Sequence, residues 1–83
     1  MTDMLVVYGT DWCGDCARAR SLLDERGTPY QWINVEQDPK AAVLVRELNR
    51  GNQSVPTIVF PDGAVLIEPS DRDLEAQLAR VGL

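Results

Sequence analysis

Two patterns of apolar residues alternate along this chain. Leu5-Val6-Val7-Tyr8, Tyr30 to Val35, Thr57 to Phe60 and Ala64 to Ile67 are short runs. They are too brief for helices and suit strands. The first is apolar at consecutive positions, as a strand buried on both faces requires. Between them lie stretches with helical spacing. From Cys13 to about Arg26, Cys16, Ala19, Leu22 and Leu23 fall on one face, and Gly27 supplies a helix stop with Pro29 beyond it. Asp38-Pro39 reads as a cap followed by proline at the first helical position. Ala41, Leu44 or Val45, and Leu48 form that helix's apolar face, and Arg50-Gly51-Asn52 ends it. Ser70 or Asp71 caps a last helix carrying Leu74, Leu78 and Val81.

Pro61-Asp62-Gly63 is turn chemistry, so the last two strands form an antiparallel hairpin. The first β-α-β unit is expected to be parallel. The order is β-α-β-α-β-β-α. It predicts an α/β fold, a four-stranded mixed sheet flanked by three helices on both faces. No repeat, linker or low-complexity tract interrupts it, so residues 1–83 read as one domain.

Charge narrows the function. Eight basic residues against 13 acidic ones leave a net charge of −5. A basic face for nucleic acid is missing. The start, Met1-Thr2-Asp3-Met4, lacks the basic flank and long apolar core of a secretory signal, and no run reaches membrane-spanning length. The expected location is the cytoplasm. Lasting disulfides are rare there, so a close cysteine pair points to catalysis or metal binding. With no histidine and no third cysteine, four zinc ligands are not at hand.

The pair is Cys13 and Cys16, in Asp11-Trp12-Cys13-Gly14-Asp15-Cys16. A Cys13–Cys16 bond would close too small a loop to staple the fold. At the N-cap, the Cys13 sulfur can accept hydrogen bonds from unpaired N–H groups of the first helical turn, and the helix dipole adds positive potential. Both favour thiolate, the nucleophile of disulfide exchange. Cys16, one turn inward, should be buried and able to attack Cys13 once that sulfur is in a mixed disulfide. Gly14 lets a partner's backbone approach. Asp11 and Asp15 oppose the thiolate, and Arg18 is placed to pair with Asp15. Trp12 either covers the thiol or packs as a staple on Ala17, while Trp32 is expected to pack. Val55-Pro56 stands at a strand start, where proline is tolerated. Local sequence alone favours a trans bond there. Arg50, Asn52 and Gln53, just upstream, are within reach of a thiol ligand.

Trp12-Cys13-Gly14-Asp15-Cys16 followed by Val55-Pro56-Thr57 resembles the glutaredoxin branch of the thioredoxin superfamily. The resemblance covers nearly the whole chain, including length and element order. It is greatest to the mycoredoxins, from bacteria that use mycothiol, through "WCG-C", "GN--VPT" and "DG" followed by "PS". The resemblance implies a thioredoxin/glutaredoxin-like fold, a cis Val55-Pro56 bond and a Val55 backbone that contacts substrate. It implies Cys13 as nucleophile and Cys16 as resolving cysteine. Trp12, Gly14, Asp15, Ser70 and Asp71 fall in the substrate-binding regions. The implied activity is thiol–disulfide exchange that frees proteins from mixed disulfides with a low-molecular-weight thiol. That co-substrate is mycothiol or glutathione, with no tightly bound cofactor. Implied partners are the protein mixed disulfides, the small thiol and a flavin-dependent disulfide reductase, and the implied state is a monomer.

Two departures bear on the thiol. Asp15 stands where glutathione-using members often carry Tyr or Phe. Glu68-Pro69 replaces the Gly-Gly pair that helps hold the charged γ-glutamyl end of glutathione. Mycothiol lacks that zwitterionic end. Two competing activities fit less of the sequence. One is a dithiol protein-disulfide reductase fed by a thioredoxin-type reductase; the redoxins serving ribonucleotide reductase belong there and usually end in a Trp-Ser-Gly-Phe signature, and "PSDRDLEAQLARVGL" has none. Iron–sulfur carriers usually have one cysteine followed by Gly-Phe-Ser, which is also absent.

Overall fold

A computed structural model describes residues 4–83. The elements follow the expected order: β1 (Leu5–Gly9), α1 (Gly14–Arg26), β2 (Tyr30–Asn34), α2 (Pro39–Leu48), β3 (Thr57–Val59), β4 (Val65–Ile67) and α3 (Asp71–Arg80). The strands form one sheet in the order β2-β1-β3-β4. β1 pairs in parallel with β2, and antiparallel pairs join β1 to β3 and β3 to β4. β2, β3 and β4 are each shorter than the apolar runs suggest. Val35, Phe60 and Ala64 lie outside the strands. Phe60 and Ala64 instead close the hairpin turn, with the Phe60 N–H donating to the Ala64 carbonyl at 2.9 Å.

Strand alternation sends side chains to opposite faces. Leu5 and Val7 of β1 join Ile58, Phe60, Ala19 and Leu23 of α1, and Leu74 and Leu78 of α3 in one core. Tyr8 joins Val35 and Ala41, Ala42 and Val45 of α2 in a second core, with Val6 and Ile33 packed against it. The sheet therefore has α1 and α3 on one face and α2 on the other. On α2 the choice between Leu44 and Val45 falls to Val45, which is fully buried while Leu44 is exposed.

The caps fix where α1 begins and ends. Cys13 is its N-cap, with φ −80° and ψ 116°. Gly27 ends it at φ 69°, a left-handed geometry that glycine adopts without a Cβ penalty. Ser70, not Asp71, caps α3, its Oγ accepting from the Asp73 N–H at 3.1 Å.

Candidate active site

Cys13 lies where β1 hands over to α1. Its Sγ accepts from the Cys16 N–H at 3.1 Å, so one unpaired helix donor points at the sulfur. It also faces the Val55 carbonyl at 3.8 Å, a long contact for a thiol donor. Cys13 is part-exposed, whereas Cys16 is only 1% exposed. Both are free thiols. Burial pushes the Cys16 thiol up to about 12, aided by its hydrogen bond to Cys13 and the neighbouring charges of Cys13 and Asp15. A backbone hydrogen bond at Thr10 works the other way. The causes that involve Cys13 are specific to its reduced form. Capping Cys13 in a mixed disulfide removes them, which makes Cys16 easier to ionise at the moment it is needed.

The buried sulfur has its place because Gly9 has no side chain. A Cβ at Gly9 would lie 2.5 Å from Cys16 Sγ and 2.8 Å from Trp32 Cη2. The Trp32 ring fills the other side of that space. It is covered in turn by the Arg20 guanidinium, 4.1 Å from the ring centroid. Trp32 thus packs, as expected. Gly9→Ala is expected to cost about 1–3 kcal/mol, because both neighbours must shift in a packed interior. Urea unfolding of the reduced protein measures this; a change under about 0.5 kcal/mol would show that the sulfur and ring yield freely.

Val55-Pro56 is a cis bond. Pro56 is fully buried, and its carbonyl accepts from the Glu68 N–H at 2.8 Å. A buried polar chain anchors this turn. Asn49 Nδ2 donates to the Val45 carbonyl (2.7 Å) and to Thr57 Oγ1 (3.2 Å), and Thr57 Oγ1 donates to the Ser54 carbonyl (2.8 Å). The end of α2 thereby holds the turn that faces Cys13.

Around Cys13 is a cleft of about 440 Å³ lined by Trp12, Cys13, Gly14, Asp15, Gln53, Ser54, Val55 and Glu68. Five of the expected residues line it, Trp12, Cys13, Gly14, Asp15 and Val55, while Pro56 is buried next to Val55 in the chain. Ser70 and Asp71 do not line it. Asp71 is engaged by Arg18 Nη1 at 2.7 Å, and Arg18 Nη2 also reaches Asp15 (3.3 Å) and the Pro69 carbonyl (3.4 Å). The expected Arg18–Asp15 pair is therefore part of a larger clamp between α1 and the start of α3. Of Arg50, Asn52 and Gln53, only Gln53 reaches the cleft. Trp12 is not a staple on Ala17. It is 73% exposed and its Nε1 donates to Glu36 at 3.1 Å, which props the ring at the cleft's edge. A slightly larger depression, about 480 Å³, lies by the start of β2 and contains neither cysteine.

Sequence reasoning passed over Gly9, Asn49 and Ser54. Gly9 directly follows the first apolar run and carries no local sign of what packs against it. Nothing local marks Asn49, whose side chain joins the Val45 carbonyl of its own helix to Thr57 of β3.

The glutaredoxin family model matches residues 5–65. A Mycobacterium tuberculosis protein with a provisional glutaredoxin name is 36% identical over 98% of this chain and 96% of its own length. Mycoredoxin 1 of Corynebacterium glutamicum is 35% identical over 89% of this chain and 91% of its own. Among solved structures, the glutaredoxin-like NrdH-redoxin of Escherichia coli superposes with a TM-score of 0.77. It covers 90% of this chain and 93% of that one, at 23% identity.

Proposed function

This chain belongs to the glutaredoxin family and is a thiol–disulfide oxidoreductase, and we propose that it releases mycothiol from protein mixed disulfides through Cys13. In the first step the Cys13 thiolate attacks the mycothiol sulfur. A Cys13–mycothiol bond forms, the original S–S bond breaks, and the protein leaves as a thiolate that takes a proton from water. A second mycothiol then attacks, releasing mycothiol disulfide and restoring Cys13. In this reading Cys16 is the resolving thiol for the other class of substrate, a protein disulfide, and both routes run through one attacking sulfur.

The observation that carries the choice of thiol is the lining of the cleft. Beside Cys13 it offers two carboxylates, an amide, a hydroxyl and an exposed indole, and no basic side chain. Carboxylates and amides accept hydrogen bonds from sugar and inositol hydroxyls, and an indole face suits a sugar's apolar face. Mycothiol, an acetylated cysteine on a sugar–inositol unit, offers these groups without a charged end. Glutathione carries two carboxylates against one ammonium, a net negative charge that such a lining disfavours. The mycoredoxin relative supports the same choice.

Residues 4–83 share one sheet and the two cores packed on it, which supports reading the chain as a single catalytic domain. We take it to act as a monomer in the cytoplasm without a tightly bound cofactor, its mycothiol disulfide being recycled by a flavin-dependent reductase. Among the described residues no helix is long and apolar enough to cross a membrane.

The test is turnover of one protein mixed disulfide per thiol, with mycothiol, glutathione and bacillithiol in parallel. Mycothiol is expected to give a kcat/KM at least about tenfold above glutathione, the effect of about 1.4 kcal/mol of binding. Equal or faster turnover with glutathione would overturn the choice of thiol and leave the exchange activity standing.

A further inference from the structure

We propose that Glu68 makes the cleft select disulfides by charge, admitting cationic and neutral ones and retarding anionic ones. The inference rests on Cys13 as the attacking sulfur. Glu68 follows directly on β4 and lines the cleft beside Cys13 and Val55. Its backbone is fixed on both sides. The N–H donates to the Pro56 carbonyl at 2.8 Å, and the next residue's carbonyl accepts from Arg18 at 3.4 Å. Its φ of 48° is left-handed, a conformation a residue other than glycine keeps only where its surroundings impose it. The stem is held while the carboxylate stays exposed.

The other acidic member of the lining is compensated. Asp15 pairs with Arg18, which is also bonded to Asp71. Among the described residues the Glu68 carboxylate has no ion-pair or hydrogen-bond partner. Across the cleft, Gln53 Oε1 accepts from Arg46 at 3.3 Å. Farther out, Glu36 accepts from the Trp12 indole N–H, Asp11 is exposed one residue before Trp12, and the chain as a whole carries −5. One uncompensated carboxylate at the mouth, backed by a field of the same sign, raises the local concentration of cations and lowers that of anions. In water-like surroundings a single charge at this range changes encounter by roughly threefold, and salt screens it.

The consequence for protein substrates is direct. Mixed disulfides whose surroundings are basic should be handled faster than those in acidic surroundings.

The test uses the reduced full chain and three small symmetric disulfides: cationic cystamine, neutral hydroxyethyl disulfide and anionic dithiodipropionate. In each reaction the Cys13 thiolate displaces one thiolate and Cys16 displaces the second. The protein dithiol is oxidised to a disulfide, one molecule of small disulfide is reduced to two thiols, and no further reductant is required. Acid quenching, alkylation and mass measurement give the rate constant. Dividing by the rate of mercaptoethanol with the same disulfide removes intrinsic reactivity. The cystamine to dithiodipropionate ratio is expected to be about tenfold at low salt and to collapse toward one in about 1 M KCl, where the Debye length is about 3 Å. Glu68→Gln is expected to cut the low-salt ratio about ninefold, about threefold from each disulfide, and Glu68→Lys further. A ratio unchanged in both variants would overturn the proposal while leaving thiol exchange intact. A protein inert to all three disulfides would overturn the exchange reading itself, and the proposal with it.

Discussion

Cys13→Ser is expected to lower kcat/KM on every disulfide substrate by at least about a thousandfold, since a serine hydroxyl is not an activated nucleophile without a base. Cys16 cannot substitute for it. That sulfur is 1% exposed, and the burial that is the main cause of its raised pKa persists in the variant, so at neutral pH it offers neither access nor thiolate. Unfolding does not explain such a loss, because serine is itself a good N-cap and can accept from the Cys16 N–H in place of the sulfur. A coupled assay with hydroxyethyl disulfide, alongside a thermal melt, reads both effects. Turnover within tenfold of the unmodified protein would reassign the nucleophile to Cys16.

Cys16→Ser is expected to divide the substrates. On a protein–mycothiol mixed disulfide it should retain activity within about threefold, because free mycothiol regenerates Cys13. The variant also loses the internal disulfide that diverts Cys13. On insulin it should lose about a hundredfold. There Cys13 is left in a covalent complex with a protein, and the thiol that would release it quickly is the missing Cys16, held one turn along α1. Rates on both substrates from one preparation decide the matter. Equal loss on both would favour a dithiol protein-disulfide reductase over mixed-disulfide chemistry.

The order of elements was legible because local patterns and long-range packing agree in this chain. Leu5, Val7, Ala19, Leu23, Leu74 and Leu78 show their spacing in the sequence and meet in one core. The cysteine pair was legible because N-cap position and burial both follow from a CxxC at a strand–helix junction. The cis geometry at Pro56 came from family resemblance, since a three-residue motif looks the same in either isomer. What stayed hidden depends on separated segments. Gly9 matters because Cys16, from α1, and Trp32, from β2, converge on the space it leaves. Asp71 and Arg18 are 53 residues apart, and only the fold puts Asp71 into a clamp outside the cleft. Trp12 could not be oriented without Glu36, which the β2–α2 connection brings to its indole N–H. Glu68 was readable as a charge that weakens a glutathione grip, but its position beside Cys13 and its lack of a partner needed coordinates.

The most direct measurement is intact-mass analysis after mixing reduced Cys16→Ser protein with one equivalent of a protein bearing a single mycothiol mixed disulfide. The expected result is transfer. The variant gains the mass of one mycothiol, peptide mapping places it on Cys13, and the substrate returns to its free thiol. An unmodified variant, or a covalent complex joining the two proteins in place of the mycothiol adduct, would contradict the attack of Cys13 on the small thiol's sulfur.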